Sequence, residues 1–158
     1  MYCLDADTII NVELAGWFDK LRRAAKEGNI CYPEGVYRQL TDTTTKIGNK
    51  IKNWGKYGCI QHLTTSEQII MKQIDNKYGP PFNIIKGRNY KGFWKTEPLG
   101  GGVDAQVITI AKERKYVVVS NDHSIHGACM LENVECIRYE EFGRRLLAGT
   151  LIQTSLPL

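Results

Sequence analysis

In YCLDADTIIN, residues 2–11, an apolar run stops abruptly at Asp5. Asp7 and Thr8 follow, and an apolar pair comes next. This order predicts a buried strand that ends at Asp5 and then a helix, with Thr8 as its N-cap. Ligands bind outside the carboxyl ends of the strands in open α/β sheets, which is where Asp5 would lie. A buried carboxylate costs free energy unless a partner offsets that cost, so we expect Asp5 to have a partner elsewhere in the chain.

The rest of the chain alternates between strand-like and helix-like patterns. We predict further strands at residues 29–32, 59–63, 116–120 and 134–138. Apolar residues at three-to-four spacing predict helices at 9–27, 33–40, 46–57, 66–78, 103–115, 124–131 and 140–148. Short connections between alternating elements favour parallel strands. The sequence therefore predicts a three-layer α/β/α sandwich with a mainly parallel central sheet, formed by one domain over residues 1–158.

Composition and cysteine usage narrow the class of protein. Hydrophobic residues make up 42% of the chain and charged residues 24%, which is typical of a globular protein with a core. The apolar runs are too short to span a membrane, and two aspartates in the first seven residues argue against a secretory signal. The five cysteines are an odd number without a CxxC pair, which favours buried free thiols over disulfides or a zinc site. We expect a cytoplasmic protein with no membrane partner.

Positive charge is concentrated in the middle of the chain. Residues 43–102 contain ten Lys/Arg and three Asp/Glu, a net charge of +7, whereas the whole chain has +4. Within 82–102, the cations alternate with Tyr90, Phe93 and Trp94, a mixture that suits stacking and phosphate contacts with single-stranded nucleic acid. The alternative is an ordinary loop that packs its aromatic residues on the core. The predicted nucleic-acid contacts are Lys86, Arg88, Lys91 and Lys95.

Three aspartates occupy positions that a parallel sheet would bring together. Asp5 ends the first strand, Asp122 follows the YVVVS strand, and Asp104 begins a helix after three glycines. Their convergence is unfavourable without a cation, and carboxylate oxygens prefer Mg²⁺ or Mn²⁺. Each aspartate taken alone is more often a helix N-cap or a turn residue.

Three motifs resemble those of PIN-domain nucleases. LDADTII resembles the opening motif of that family, VDAQVITIA its Asp-Ala motif at a helix start, and VVVSNDHSI its last motif of a strand, Ser or Thr, a variable residue and Asp. The resemblance covers residues 2–138. It implies a PIN-like fold, catalytic and metal-binding roles for Asp5, Asp104 and Asp122, and supporting roles for Asp7 and Ser120.

The activity that this resemblance implies is a Mg²⁺- or Mn²⁺-dependent endoribonuclease with RNA as its substrate. Some members of the family are toxins of bacterial toxin–antitoxin pairs, so the implied protein partners are an antitoxin and a second copy of the chain. A structure-selective DNA nuclease with a related site is an alternative activity.

One motif departs from the family pattern. After the second strand the family usually has a Glu, and here Gln39 occupies that position in PEGVYRQL. An amide oxygen coordinates weakly and brings no charge, so a further alternative is a weakened module that binds RNA or protein without cutting. Glu34 lies five residues earlier, about 500° of helical rotation away, so we expect it to face away from Gln39.

Overall fold

The computed structural model describes residues 1–42, 46–79 and 102–151. Within them, five parallel strands form one sheet in the order β3-β2-β1-β4-β5. This arrangement confirms the predicted α/β class with a parallel central sheet. The strands are β1 (Tyr2–Leu4), β2 (Ile30–Pro33), β3 (Ile60–Gln61), β4 (Val117–Val119) and β5 (Cys136–Ile137).

Helices connect the strands and cover both faces of the sheet. Their packing is consistent with the predicted three-layer sandwich, since right-handed crossovers in opposite directions place helices on opposite faces. A 3₁₀ helix over Trp54–Tyr57 precedes β3. The α-helices are α1 (Ala6–Leu14), α2 (Phe18–Lys26), α3 (Glu34–Asp42), α4 (Lys46–Ile51), α5 (Thr65–Tyr78), α6 (Val103–Arg114), α7 (His123–Leu131) and α8 (Tyr139–Ala148).

Three local predictions were wrong. The helix expected over 9–27 is two helices, because the chain turns at Gly16, whose φ of +80° favours glycine. The helix expected over 46–57 ends at Ile51 and is followed by the 3₁₀ turn. Pro33, expected in the first turn of a helix, is the last residue of β2.

The N-cap of α1 also differs from the prediction. Asp5, and not Thr8, caps this helix, which begins three residues earlier than its apolar pattern indicated. Thr8 is a buried residue inside α1, and its hydroxyl donates to the Val119 carbonyl at 3.0 Å. The bond ties the first turn of α1 to the end of β4.

The central strands are the most deeply buried elements. Every residue of β1 and β4 is buried, whereas the edge strands β3 and β5 are only half-buried. The register pairs Leu4 with Val119, so the carboxyl ends of β1 and β4 lie side by side. The five cysteines carry free thiols, and four of them are buried. No helix in the described part of the chain is both long and apolar enough to cross a membrane.

Ion pairs with one buried partner fix α5, α6 and α7 to one another. Thr64 and Glu67 form a capping box at the start of α5, and Glu67, 7% exposed, also accepts from Arg114 of α6 at 2.8 and 3.0 Å. Just beyond α7, Glu132 accepts from Lys77 and Lys112 of the same two helices at 3.0 and 2.8 Å. These contacts hold the carboxyl-terminal end of α6 against α5 and the end of α7.

Candidate active site

The sheet has a switch point between β1 and β4. From β1 the chain moves to β2 and β3 on one side, and it then crosses to β4 and β5 on the other. The connections therefore diverge at the carboxyl ends of β1 and β4, which is where open α/β sheets form a ligand crevice. A small pocket of about 50 Å³ is found here, lined by Asp5, Ala6, Asp7, Val36, Gln39, Val103, Asp104, Asp122 and Ile125.

Asp5 is the buried carboxylate of this pocket. It is 7% exposed, and its Oδ1 accepts from the Thr8 backbone N–H at 2.8 Å. Its Oδ2 accepts from the Ser120 hydroxyl at the end of β4. Burial raises the pKa of Asp5 above its ordinary value, and the bonds from Ser120 and Thr8 partly oppose that rise. The partner expected for Asp5 is thus a pair of hydrogen-bond donors, one of them from β4.

Ser120 connects Asp5 to Asp122. Its fully buried hydroxyl donates to Asp5 and accepts from the Asp122 backbone N–H at 3.0 Å. Asp122 is the N-cap of α7, and its Oδ1 accepts from the N–H groups of Ser124 and Ile125 at 2.7 and 3.1 Å. Ser120 therefore fixes the spacing of two of the three predicted metal ligands.

The remaining predicted site residues come from separate helices. Asp104 is the second residue of α6, after Gly102 at the N-cap, and Asp7 lies exposed in the first turn of α1. Gln39 reaches the pocket from α3. The structure thus brings Asp5, Asp7, Asp104, Asp122 and Gln39 to one pocket, with Ser120 directly behind it.

Negative charge dominates this pocket. Four carboxylates line it, and the lining contains no Lys, Arg or His among the residues that the structure describes. The amino ends of α1, α6 and α7 lie at the carboxylates, and their partial positive charge stabilises anions. Helix dipoles and capping bonds offset part of the repulsion, while the rise in the pKa of Asp5 shows that its burial is only partly offset.

The donor set fits a hard divalent cation. Carboxylate oxygens from three elements and the amide oxygen of Gln39 are ligands that Mg²⁺ and Mn²⁺ accept. Within residues 1–42, 46–79 and 102–151, no three His, Cys, Asp or Glu side chains are already placed as a metal-binding group. Both oxygens of Asp5 and the Oδ1 of Asp122 accept hydrogen bonds from the protein.

Helix capping explains part of this arrangement. Asp5 and Asp122 are both N-caps, which is the alternative role that each aspartate has by itself. Capping does not account for Asp104, which is inside its helix, or for the convergence of four carboxylates on one pocket.

Glu34 lies away from Gln39, as its rotation along α3 predicted. It lines a different and larger pocket, where it accepts from Arg38 at 2.6 Å and lies 3.1 Å from Nδ1 of His62. The contact with His62, followed by that with Arg38, lowers the pKa of Glu34. Sequence reasoning missed this cluster, although the position of His62 just after β3 could have placed it at the same sheet edge.

The predicted nucleic-acid contacts lie outside the described residues. Lys86, Arg88, Lys91 and Lys95 all fall in the segment between Gly79 and Gly102. Their role in binding stays a prediction from the sequence.

Comparison with models of known protein families and with curated proteins finds no match for this chain. The resemblance to PIN-domain nucleases accordingly depends on the three sequence motifs.

Proposed function

We propose that this protein is a metal-dependent endoribonuclease with a PIN-like active site. The observation that carries the proposal is the pocket at the switch point between β1 and β4, where Asp5, Asp104 and Asp122 converge from three parts of the chain. The sequence motifs and the lack of a basic residue in the described lining support the same activity.

In this proposal, Asp5, Asp104 and Asp122 hold Mg²⁺ or Mn²⁺. When bound, such an ion activates water and stabilises the charge that develops on a phosphodiester. The chain supplies the positioning: Ser120 and the Thr8 N–H orient Asp5, and the first turn of α7 orients Asp122. Asp7, at the exposed mouth of the pocket, is suited to contact water around the ion.

Gln39 favours a second candidate function, that of a module which binds RNA or protein without cutting. Its amide occupies the wall where the resemblance leads one to expect a carboxylate. One charge fewer weakens divalent binding, because the affinity of such sites depends on ligand charge. The two candidate functions share a site and differ in whether a phosphodiester bond breaks.

Partners belong to the proposal on sequence grounds. The basic segment of residues 82–102 supports RNA as the substrate, since cations and aromatic residues alternate along it. An antitoxin and a homodimer are supported by the family resemblance alone.

A cleavage assay tests the proposed function. Single-stranded RNA, single-stranded DNA and flapped DNA are each incubated with the protein, with Mn²⁺ or with EDTA. The matched variants are Asp104→Asn and Asp19→Asn, because Asp19 is an exposed helical aspartate on α2, outside the pocket lining. We expect Mn²⁺-dependent RNA cleavage that is lost in Asp104→Asn and kept in Asp19→Asn.

The other outcomes separate the alternatives. RNA binding without cleavage in the presence of Mn²⁺ would establish the binding module. Preferential cutting of flapped DNA would establish the DNA nuclease. Cleavage that persists equally in Asp104→Asn would refute a role for this pocket.

A further inference from the structure

A second, larger pocket lies on the same edge of the sheet. Its volume is about 420 Å³, within the range of pockets that hold small organic ligands. It lies at the carboxyl ends of β2 and β3, next to the start of α3. The side chains that matter here are Glu34, Arg38, His62, Gln68, Met71 and Gln106.

Charged groups form a pre-arranged cluster along one wall. Glu34 contacts Arg38 at 2.6 Å and His62 at 3.1 Å, so the carboxylate restrains both neighbours. All three side chains are 39% or more exposed, so they can reach a ligand without unfolding of the wall. A guanidinium pairs with base edges, and the planar face of an imidazole is a surface on which nucleobases stack.

Gln106 supplies an oriented amide on the wall that α6 contributes. Its Oε1 accepts from the Gly35 N–H at 3.1 Å, and within the described residues its Nε2 donates to no protein acceptor, so that it can donate to a ligand. The fit is close, because a Cβ on residue 35 would lie 2.6 Å from that oxygen. Gly35 thus lets the Gln106 amide lie close to the backbone of α3, and the hydrogen bond orients that amide.

The two pockets lie on either side of this contact. The pocket that Asp5, Asp104 and Asp122 line is called the acidic pocket below. On α3, Glu34 and Arg38 face the larger pocket, whereas Gln39 faces the acidic pocket. On α6, Gln106 faces the larger pocket and Asp104 faces the acidic pocket. An α-helix with its side chains is roughly 10 Å across, so a few nucleotides of an extended strand can reach from one pocket to the other.

We infer that the larger pocket binds an unpaired nucleobase of the RNA strand whose phosphodiester occupies the acidic pocket. The inference rests on the proposed function for the position of the strand. The pocket then selects which base flanks the cut, with the amides and Arg38 contacting base edges and Met71 contacting the apolar face.

A base fits this pocket better than a phosphate does. Glu34 pairs with Arg38 on this wall and neutralises its charge, so the wall offers an anionic phosphate little net positive charge. Amide and guanidinium groups pair with base edges and thereby discriminate between bases. Met71 adds an apolar, polarisable side chain that an anion does not require.

The test measures base binding without cleavage. The full chain is titrated in EDTA with each of the four nucleoside 5′-monophosphates, and with ribose 5-phosphate as a base-free probe. NMR follows the side-chain amides of Gln68 and Gln106 and the Met71 methyl. We expect at least one nucleotide to shift these signals, while ribose 5-phosphate does not.

Two variants make the test specific to the pocket. Arg38→Ala should weaken nucleotide binding roughly tenfold, and His62→Ala should also weaken it. Arg144→Ala should have no effect, because Arg144 is an exposed helical arginine paired with Glu141 on α8, away from this pocket.

The outcomes distinguish this inference from the proposed function. A chain that cleaves RNA but shows no nucleotide-dependent shifts here would overturn the inference and leave the nuclease intact. Equal shifts with ribose 5-phosphate would also overturn it, because the pocket would then bind an anion. A chain that binds nucleotides here but never cleaves RNA would support the base site and refute the proposed nuclease activity.

Discussion

Replacing Ser120 with alanine tests how the acidic pocket is held together. The hydroxyl makes two buried hydrogen bonds, one to the Asp5 carboxylate and one from the Asp122 N–H. A bond to a charged group contributes about 1.5–3 kcal/mol and a neutral one about 0.5–1.5 kcal/mol. We therefore expect Ser120→Ala to lower the free energy of unfolding by about 2–4 kcal/mol at neutral pH.

The two contributions differ in their dependence on pH. The pKa of Asp5 is already raised in the folded protein, so Asp5 lowers stability as pH rises through its folded pKa. Ser120 opposes that rise, and without its hydroxyl the folded pKa increases further. The part of the stability loss in Ser120→Ala that comes from the ionised Asp5 should therefore be absent below the ordinary pKa of 3.8 and fully present at neutral pH. The cost of losing the Asp122 N–H bond should be the same throughout.

Urea unfolding of wild type and Ser120→Ala at pH 3 and pH 7 measures both parts. The matched control is Thr109→Val, because the Thr109 hydroxyl is also fully buried but donates to a neutral carbonyl, that of Ala105, at 2.7 Å. Its cost should be about 1 kcal/mol at either pH. An equal cost of Ser120→Ala at the two pH values would refute an ionised Asp5 as the main partner of this hydroxyl.

Three further predictions concern charge. Mn²⁺ at one hundred times its Kd should stabilise the fold by about 2.7 kcal/mol, seen as a higher Tm, and Asp122→Asn should weaken this response; an unchanged melt at millimolar Mn²⁺ would contradict the proposed metal site. Gln39→Glu should tighten Mn²⁺ binding and raise RNA cleavage while Glu34→Gln leaves both unchanged, as titration and timed cleavage would measure; the reverse pattern would make Glu34 the ligand. Glu67, whose pKa the bonds from Arg114 lower to about 2, stabilises the fold above its ordinary pKa of 4.5, and this contribution is lost as pH falls toward 2. Glu67→Gln should therefore cost up to about 3 kcal/mol at pH 7 and little at pH 2 in urea unfolding, and a cost independent of pH would argue against that ion pair.

The sheet and the position of Asp5 could be predicted because their signals are local. Three consecutive valines in β4 and the short apolar run of β1 are typical of strands buried on both faces. Once both strands are parallel neighbours, the residues that follow them must meet at one edge. The convergence of Asp5 and Asp122 needs no further information.

The break between α1 and α2 could not be predicted from periodicity. The apolar spacing continues across it, but Leu14 is 78% exposed, so the pattern did not mark a single buried face. Trp17 instead stacks on Tyr139 and packs so closely on Gly143 that a Cβ there would lie 2.6 Å from its ring. These contacts are more than 120 residues away in sequence, and local spacing carries no trace of them.

The N-cap of α1 shows a different limit. Asp5 and Thr8 are both good caps, and the sequence alone does not decide between them. Asp5 is the cap because the Ser120 hydroxyl and the Thr8 N–H both donate to its carboxylate, and Ser120 follows a strand that is distant in sequence. The contact between Glu34 and His62 could not be predicted for the same reason, because it joins residues that are far apart in the sequence.

Gln39 is the point where the stability and the chemistry of the acidic pocket oppose each other. Asp5 already bears a raised pKa, and the capping bonds and helix ends stabilise only part of the negative charge around it. A carboxylate at position 39 would add to that charge and destabilise the metal-free fold, whereas a neutral amide does not. In the proposed metal site, the same amide supplies one negative charge fewer than a carboxylate would. In the proposed function, Gln39 thus keeps the metal-free pocket stable but weakens its binding of the divalent ion, and Gln39→Glu tests both effects.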